Sequence, residues 1–180
     1  IKAGIQYRID NLNERIFSIL YDDNTYRIPT IAPENASPSH SYYSENAVFF
    51  SGYIQDKLEY QSFIMNAGLR YDSFDPQSTH IDSLLNPEHG LVKSTKKNMI
   101  SPRIGVAYPI TDEGILHFSY GHFYQMPTMR NLFLKNIFGA GLSPTIGYSD
   151  LKPQKTVMYE FGLQQQLSRY IAINGSLFYK

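Results

Sequence analysis

The side chains able to do chemistry are few in this 180-residue chain, and their spacing works against it. Cysteine is absent, which removes thiolate nucleophiles, thiolate metal sites and disulfides together. His117 and His122 are separated by an odd number of positions. On an extended strand that places them on opposite faces, so they cannot close on one metal ion. His40, His80 and His89 are isolated in loop-like stretches. Asp112 and Glu113 are adjacent carboxylates inside Thr111-Asp112-Glu113-Gly114, and turn chemistry accounts for them better than acid–base catalysis. Gly139-Ala140-Gly141 lacks the preceding strand, the following helix and the third glycine of a dinucleotide loop. No nucleophile, base and orienting group fall together. The expectation is a protein without catalytic residues, metal or cofactor. A formal net charge of +0 gives no support to a nucleic-acid partner. Lys93, Lys96 and Lys97 form the one basic cluster that invites an anionic contact.

The elements that would position these residues follow a period of two. From Ile100 the alternate residues Pro102, Ile104, Val106, Tyr108 and Ile110 share a face, opposite Ser101, Arg103, Gly105 and Ala107. After the turn, Leu116, Phe118 and Tyr120 oppose His117, Ser119 and Gly121. Such alternation predicts a β-hairpin with one apolar and one polar side. A second hairpin runs from Ala47 through a turn near Gln61 to Asp72, and a third from Lys155 through Ser168-Arg169 to Lys180. Ile1 to Ile9 is the strand of a fourth. Long segments rich in Pro, Gly, Ser and Asn separate the hairpins: 10–46, 73–98 and 125–153. Within the last, Thr128 to Leu134 reads as one or two helical turns after Pro127.

Composition agrees with a sheet and with a membrane boundary. There are 15 Tyr and 11 Phe with no Trp, and a tyrosine ring with its polar tip suits both settings. No apolar run reaches the ~18 residues of a membrane helix, but a membrane strand needs only ~9–11 residues, half of which can be polar. No signal peptide opens the chain.

Tyr53-Ile54-Gln55-Asp56-Lys57 with Asn66-Ala67-Gly68-Leu69-Arg70-Tyr71-Asp72 resembles the barrel of TonB-dependent outer-membrane receptors. So do Ser101-Pro102-Arg103-Ile104-Gly105 with the run 118–127, and Asp150-Leu151-Lys152-Pro153-Gln154-Lys155-Thr156 with Tyr159-Glu160-Phe161-Gly162-Leu163. The subgroup with a carboxypeptidase-regulatory-like N-terminal domain looks closest. The resemblance implies an all-β, antiparallel up-and-down meander. About seven strands of a larger transmembrane β-barrel are expected, with long extracellular loops and short periplasmic turns. Residues 1–180 are then expected to be an internal piece of a barrel of ~22 strands, without plug domain or signal peptide.

The implied function is energy-coupled uptake of a scarce nutrient (a ferric siderophore, vitamin, glycan or peptide) in the bacterial outer membrane, not enzyme chemistry. The implied partners are lipid and lipopolysaccharide, the nutrient, and the inner-membrane TonB complex acting through the plug. Ile104, Val106, Phe118, Tyr120, Tyr159, Phe161 and Leu163 are then expected to face lipid. Arg70, Arg103, His117 and Glu160, with Lys2 and Arg8, are expected to face the lumen, because a charge in the bilayer costs about 2–4 kcal/mol. Tyr124, Gln125 and Arg130 are expected to line the ligand vestibule, with Arg130 suited to a carboxylate or phosphate. A passive porin-type barrel and a soluble β-sandwich binding module are the alternatives; the sandwich predicts two facing sheets with a dry interior.

Overall fold

The structure, a computed structural model, describes residues 1–17, 20–22, 25–27, 40–81, 90–136 and 145–180. Its main body is one antiparallel sheet of seven strands in meander order. These are β1 (Lys2–Phe17), β4 (His40–Tyr60), β5 (Phe63–Asp75), β8 (Lys97–Thr111), β9 (Gly114–Gln125), β12 (Gln154–Ser168) and β13 (Ile171–Tyr179). Short pairs decorate one edge: β2 (Leu20–Asp22) with β3 (Thr25–Arg27), β6 (Thr79–Ile81) with β7 (Leu91–Lys93), and β10 (Lys135–Asn136) with β11 (Thr145–Ile146). A single helix among the described residues, α1 (Met129–Phe133), follows β9. No second sheet faces the first among the described residues, as a sandwich would require.

The registers agree across the sheet. Directly opposed residues share a face, and one such row runs Ala67, Ile104, Tyr120, Tyr159, Tyr179. The next runs Leu58, Met65, Val106, Phe118, Phe161, Leu177. The alternating apolar positions of all seven strands therefore form one continuous face, and their polar partners form the other. The apolar face is uncovered: Ile5 is 80 % exposed, Phe161 49 % and Leu177 76 %. Total accessible surface is 13102 Å². A compact monomer of 20.7 kDa is expected to expose about 8,900 Å².

The described core is small and lies on the polar face near the long-loop edge. Tyr43, Ala47, Phe74, Met99, Leu132, Phe133 and Leu134 are buried together. Phe49 and Phe74 pair across β4 and β5 with ring centroids 4.6 Å apart. There the normally polar register turns apolar, because α1 and the residue after it fold back onto the sheet. Thr128 caps α1, its hydroxyl accepting from the Asn131 amide at 3.4 Å.

One expectation is corrected. Residues 10–46 were read as irregular from Asp10, but β1 continues to Phe17 and pairs residue by residue with β4 from His40. Asp10, Asn11, Asn13, Glu14 and Arg15 hide this extension, because they carry no apolar alternation.

Candidate functional site

The short-turn edge of the apolar face carries Tyr60 and Tyr108, with Tyr170 in the adjoining turn. A second aromatic level lies further along the strands. Tyr7 is paired with Phe50, whose ring lies 6.3 Å from that of Tyr71. Tyr120, Tyr159 and Tyr179 form a cross-strand row with centroids 5.0 and 6.4 Å apart. Phe50 and Tyr60 are about ten residues apart on β4, roughly 33 Å at 3.3 Å per residue. A strand tilted by ~45° converts that to about 23 Å of height. Between Phe50 and Tyr60 the face holds Ile54, Asp56 and Leu58 on β4 and Met65 and Leu69 on β5; further across the sheet, Ile104 stands in the Tyr120 row, Val106, Phe118 and Phe161 in the next row, and Leu163 in the row of Tyr108. All seven residues expected on this face lie in its register.

The opposite face collects most of the charges, Asp56 being an exception that lies in the apolar register opposite Ala67. Arg70, Arg103, His117 and Glu160 share the polar face, with Lys2 and Arg8. Arg8 Nε meets Asp10 at 3.0 Å, and Arg70 grips both oxygens of Asp72 at 2.7 to 3.0 Å. The Ser119 hydroxyl donates to Glu160 at 3.4 Å. His117 lies over Gly162, directly across from it, where any β-carbon would strike the imidazole. His122 lies in the other register, and its Nε2 meets the Tyr120 hydroxyl at 2.6 Å.

Tyr124, Gln125 and Arg130 do not converge on one hollow. Tyr124 borders a hollow of about 250 Å³ that also touches Arg8, Arg70, Arg103 and Met126. Arg130 borders another, of about 500 Å³, with Asn131, Leu134, Ile146, Gly147 and Tyr148. Gln125 is exposed and pairs with Gln154.

The long-loop edge holds a polar clasp that local sequence patterns do not reveal. Gly147, Tyr148, Ser149 and Asp150 form a strap between α1 and the loop ahead of β8. On one side Gly147 N–H donates to Leu134 O at 2.6 Å and Tyr148 N–H to Asn131 O at 2.9 Å. On the other, the Ser149 and Ser94 hydroxyls meet, and Ser94 Oγ lies 3.2 Å from His80 Nδ1. The His80 ring is edge-on to Tyr148 at 4.5 Å. Thr95 donates to Asp150 Oδ1 from its amide at 2.8 Å and its hydroxyl at 2.6 Å, and Lys97 Nζ completes the set as an ion pair. Burial pushes the Asp150 carboxyl up, but the Lys97 and Thr95 hydrogen bonds outweigh it and hold the group well below the usual carboxylate range. Lys97, 7 % exposed, is thus spent inside the clasp and is not part of a solvated basic cluster. His89, Gly139 and Gly141 lie outside the described residues.

Among the described residues no three or more His, Cys, Asp or Glu side chains gather around a possible metal position. No described helix is long and apolar enough to cross a membrane, which says nothing of strands.

Residues 3–180 match the family model described as TonB dependent receptor-like, beta-barrel. No curated protein matches the chain by sequence. Among solved structures, the copper transporter OprC matches with a TM-score of 0.60 at 18 % identity. The alignment covers 98 % of this chain and 26 % of that one, so this chain spans about a quarter of its structural relative. At that identity the likeness speaks for the fold alone.

Proposed function

Because the chain belongs to the TonB-dependent receptor-like β-barrel family, we propose that it forms part of the wall of a bacterial outer-membrane receptor that takes up a scarce nutrient with energy from TonB. In this reading the apolar face meets lipid and the polar face lines the lumen. The short turns are periplasmic and the long loops extracellular. Ile104, Val106, Phe118, Tyr120, Tyr159, Phe161 and Leu163 contact acyl chains. Arg70, Arg103, His117 and Glu160 stand in the lumen, where water or protein relieves the cost of their charge. The TonB complex acts through a plug domain elsewhere in the receptor, and lipopolysaccharide surrounds the outer rim.

One observation carries the reading: an apolar face runs over seven strands, interrupted on β4 by Asp56 alone among its charged groups between Phe50 and Tyr60, and those two aromatic residues stand about 23 Å apart in height, close to the ~25 Å band of outer-membrane barrels. Tyr124, Gln125 and Arg130 line the route of the nutrient, which is a ferric siderophore, vitamin, glycan or peptide. They do so as two separate patches at the mouth, not as one pocket. The test is growth of a receptor-deleted strain on each nutrient class as sole limiting source. Loss of growth on one class, equalled by loss of the TonB complex, is the expected result. Receptor-dependent uptake that survives without TonB refutes the reading in favour of a passive pore.

A further inference from the structure

Strands β8 and β9 separate just beyond the outer aromatic level. Their pairing runs from the short turn only as far as Arg103 opposite Gly121, one position past Tyr120. Yet β8 stays paired with β5 up to Lys97, and β9 with β12 up to Gln125. The sheet therefore forks, with residues 97–102 on one side and 122–125 on the other. Pro102, which has no N–H, stands at the point of divergence. Alternate residues of a strand turn their N–H and C=O groups to one neighbour. Along the fork both strands thus present backbone groups that the sheet leaves unpaired. On the polar side, Tyr124 and Met126 pack against the buried cluster and close the fork from behind.

Lysines gather around the open end of the fork. Lys96 comes immediately before β8, and Lys155 lies near the start of β12, opposite Tyr124 on β9 and in the register of Tyr159. Thr95 donates to Asp150 from its amide and its hydroxyl. That tie between two long loops brings Lys93 and Lys152 to the same edge, each two positions from a tied residue. All four lysines are exposed, and none enters an ion pair among the described residues. Lysines outnumber the described carboxylates of this edge, Asp75 and Asp150, and Asp150 is already held by Lys97. The short-turn edge is the reverse: Asp56, Glu59, Asp112 and Glu113 outnumber Lys57 and Arg169. Lys155 is four positions beyond Tyr159, about 13 Å along β12 and about 9 Å in height at a tilt of ~45°. The headgroup layer of a bilayer adds about 5–8 Å beyond the hydrocarbon, and a lysine stem can bend back toward it. With the apolar face in lipid, these ammonium groups stand at the level of the outer-leaflet phosphates.

We propose that the fork between β8 and β9, with Lys96 and Lys155 on its flanks and Lys93 and Lys152 beside them, is a binding site for the phosphate groups of lipopolysaccharide. The lysines supply charge, and the unpaired amides of the fork supply hydrogen bonds to the phosphate oxygens. The proposal deepens the barrel-wall reading, on which it rests for the leaflet that this edge meets. The experiment titrates the purified full-length receptor in detergent with diphosphoryl lipid A and with its dephosphorylated form, and reads the bound lipid by native mass spectrometry. The diphosphoryl form is expected to bind at least tenfold more tightly. Lys96→Gln with Lys155→Gln is expected to weaken that binding at least tenfold. Lys57→Gln with Arg169→Gln removes the same charge at the short-turn edge and is expected to change nothing. Amide exchange along 98–101 and 122–125 is expected to slow when the diphosphoryl lipid is added, and exchange along 115–119 to stay as it was. Heat-modifiable migration on gels reports that each variant has folded.

Equal binding of the two lipids overturns the proposal. So does unchanged affinity in the Lys96→Gln, Lys155→Gln variant, or exchange along the fork that ignores the lipid. Displacement of the lipid by inorganic phosphate at equal concentration overturns it as well, in favour of a site for a soluble anion. The wall reading fails separately: it falls if spin labels on the two faces of β8 and β9 meet oxygen alike. Failure of the lipid titration while oxygen contact still alternates removes the site and leaves the wall standing.

Discussion

Gly147 is where the strap touches α1, and its replacement by alanine tests the clasp directly. A β-carbon there would lie 2.5 Å from Leu134 N and 2.8 Å from both Leu132 C and Phe133 N. These are backbone atoms and cannot rotate away, so the strap must move. Its displacement breaks two hydrogen bonds, Gly147 N–H to Leu134 O and Tyr148 N–H to Asn131 O. At about 1 kcal/mol each, with some loss of packing around Leu132 and Phe133, the local opening free energy falls by about 2–4 kcal/mol. Amide hydrogen exchange at Leu134, Gly147 and Tyr148 should then accelerate roughly 30- to 800-fold in the full-length receptor. The strand amides should not change. Gly105→Ala is the control, because a β-carbon at Gly105 meets nothing within 4 Å. Unchanged protection in Gly147→Ala, or loss spread evenly over β8 and β9, would refute the account of the clasp.

Other expectations concern the same two faces and the loop edge. Phe118→Arg should cost about 2–4 kcal/mol in urea unfolding from lipid vesicles, whereas Ser119→Arg, one residue along on the polar face, should cost under about 1 kcal/mol; equal costs would count against opposite environments. The Asp150 carboxyl is depressed in the fold, so its stabilisation is present above the unfolded value of about 3.9 and is lost as pH falls through the folded value. Protection of the Thr95 amide, corrected for intrinsic exchange, should therefore hold from pH 8 to 5 in the wild type and be low throughout in Asp150→Asn. Loss of wild-type protection within that range would contradict the ion pair. Residues 1–180 alone, with an uncovered apolar face and β1 and β13 as sheet edges, should associate in water without detergent. A monomer that unfolds cooperatively in sedimentation and denaturation experiments would count against that.

The strands were legible because a two-sided sheet writes its period into the residues. Ile104, Val106 and Phe118 alternate with Gly105, Ala107 and Ser119, and the observed register keeps the two sets apart. The helical turn was legible from Pro127 and Thr128, and α1 starts there. The outer extension of β1 was not, because a strand that clears an apolar layer needs no apolar side. The clasp was hidden for another reason: Lys97 and Asp150 are 53 positions apart, and a contact of that separation leaves no local period. One signal did exist for the inward fold of the third long loop. Phe49, Phe74 and Met99 occupy the polar register on three neighbouring strands, and something apolar had to cover them.

Single cysteines in the full-length receptor, spin-labelled and read for contact with oxygen, test the central claim most directly. Oxygen concentrates in the bilayer interior. Labels at 106, 118 and 161 should be readily reached by oxygen and labels at 105 and 119 poorly, so that accessibility alternates with a period of two along each strand. Uniformly low oxygen contact at both sets would mean that the apolar face packs on protein, and would contradict the barrel-wall account.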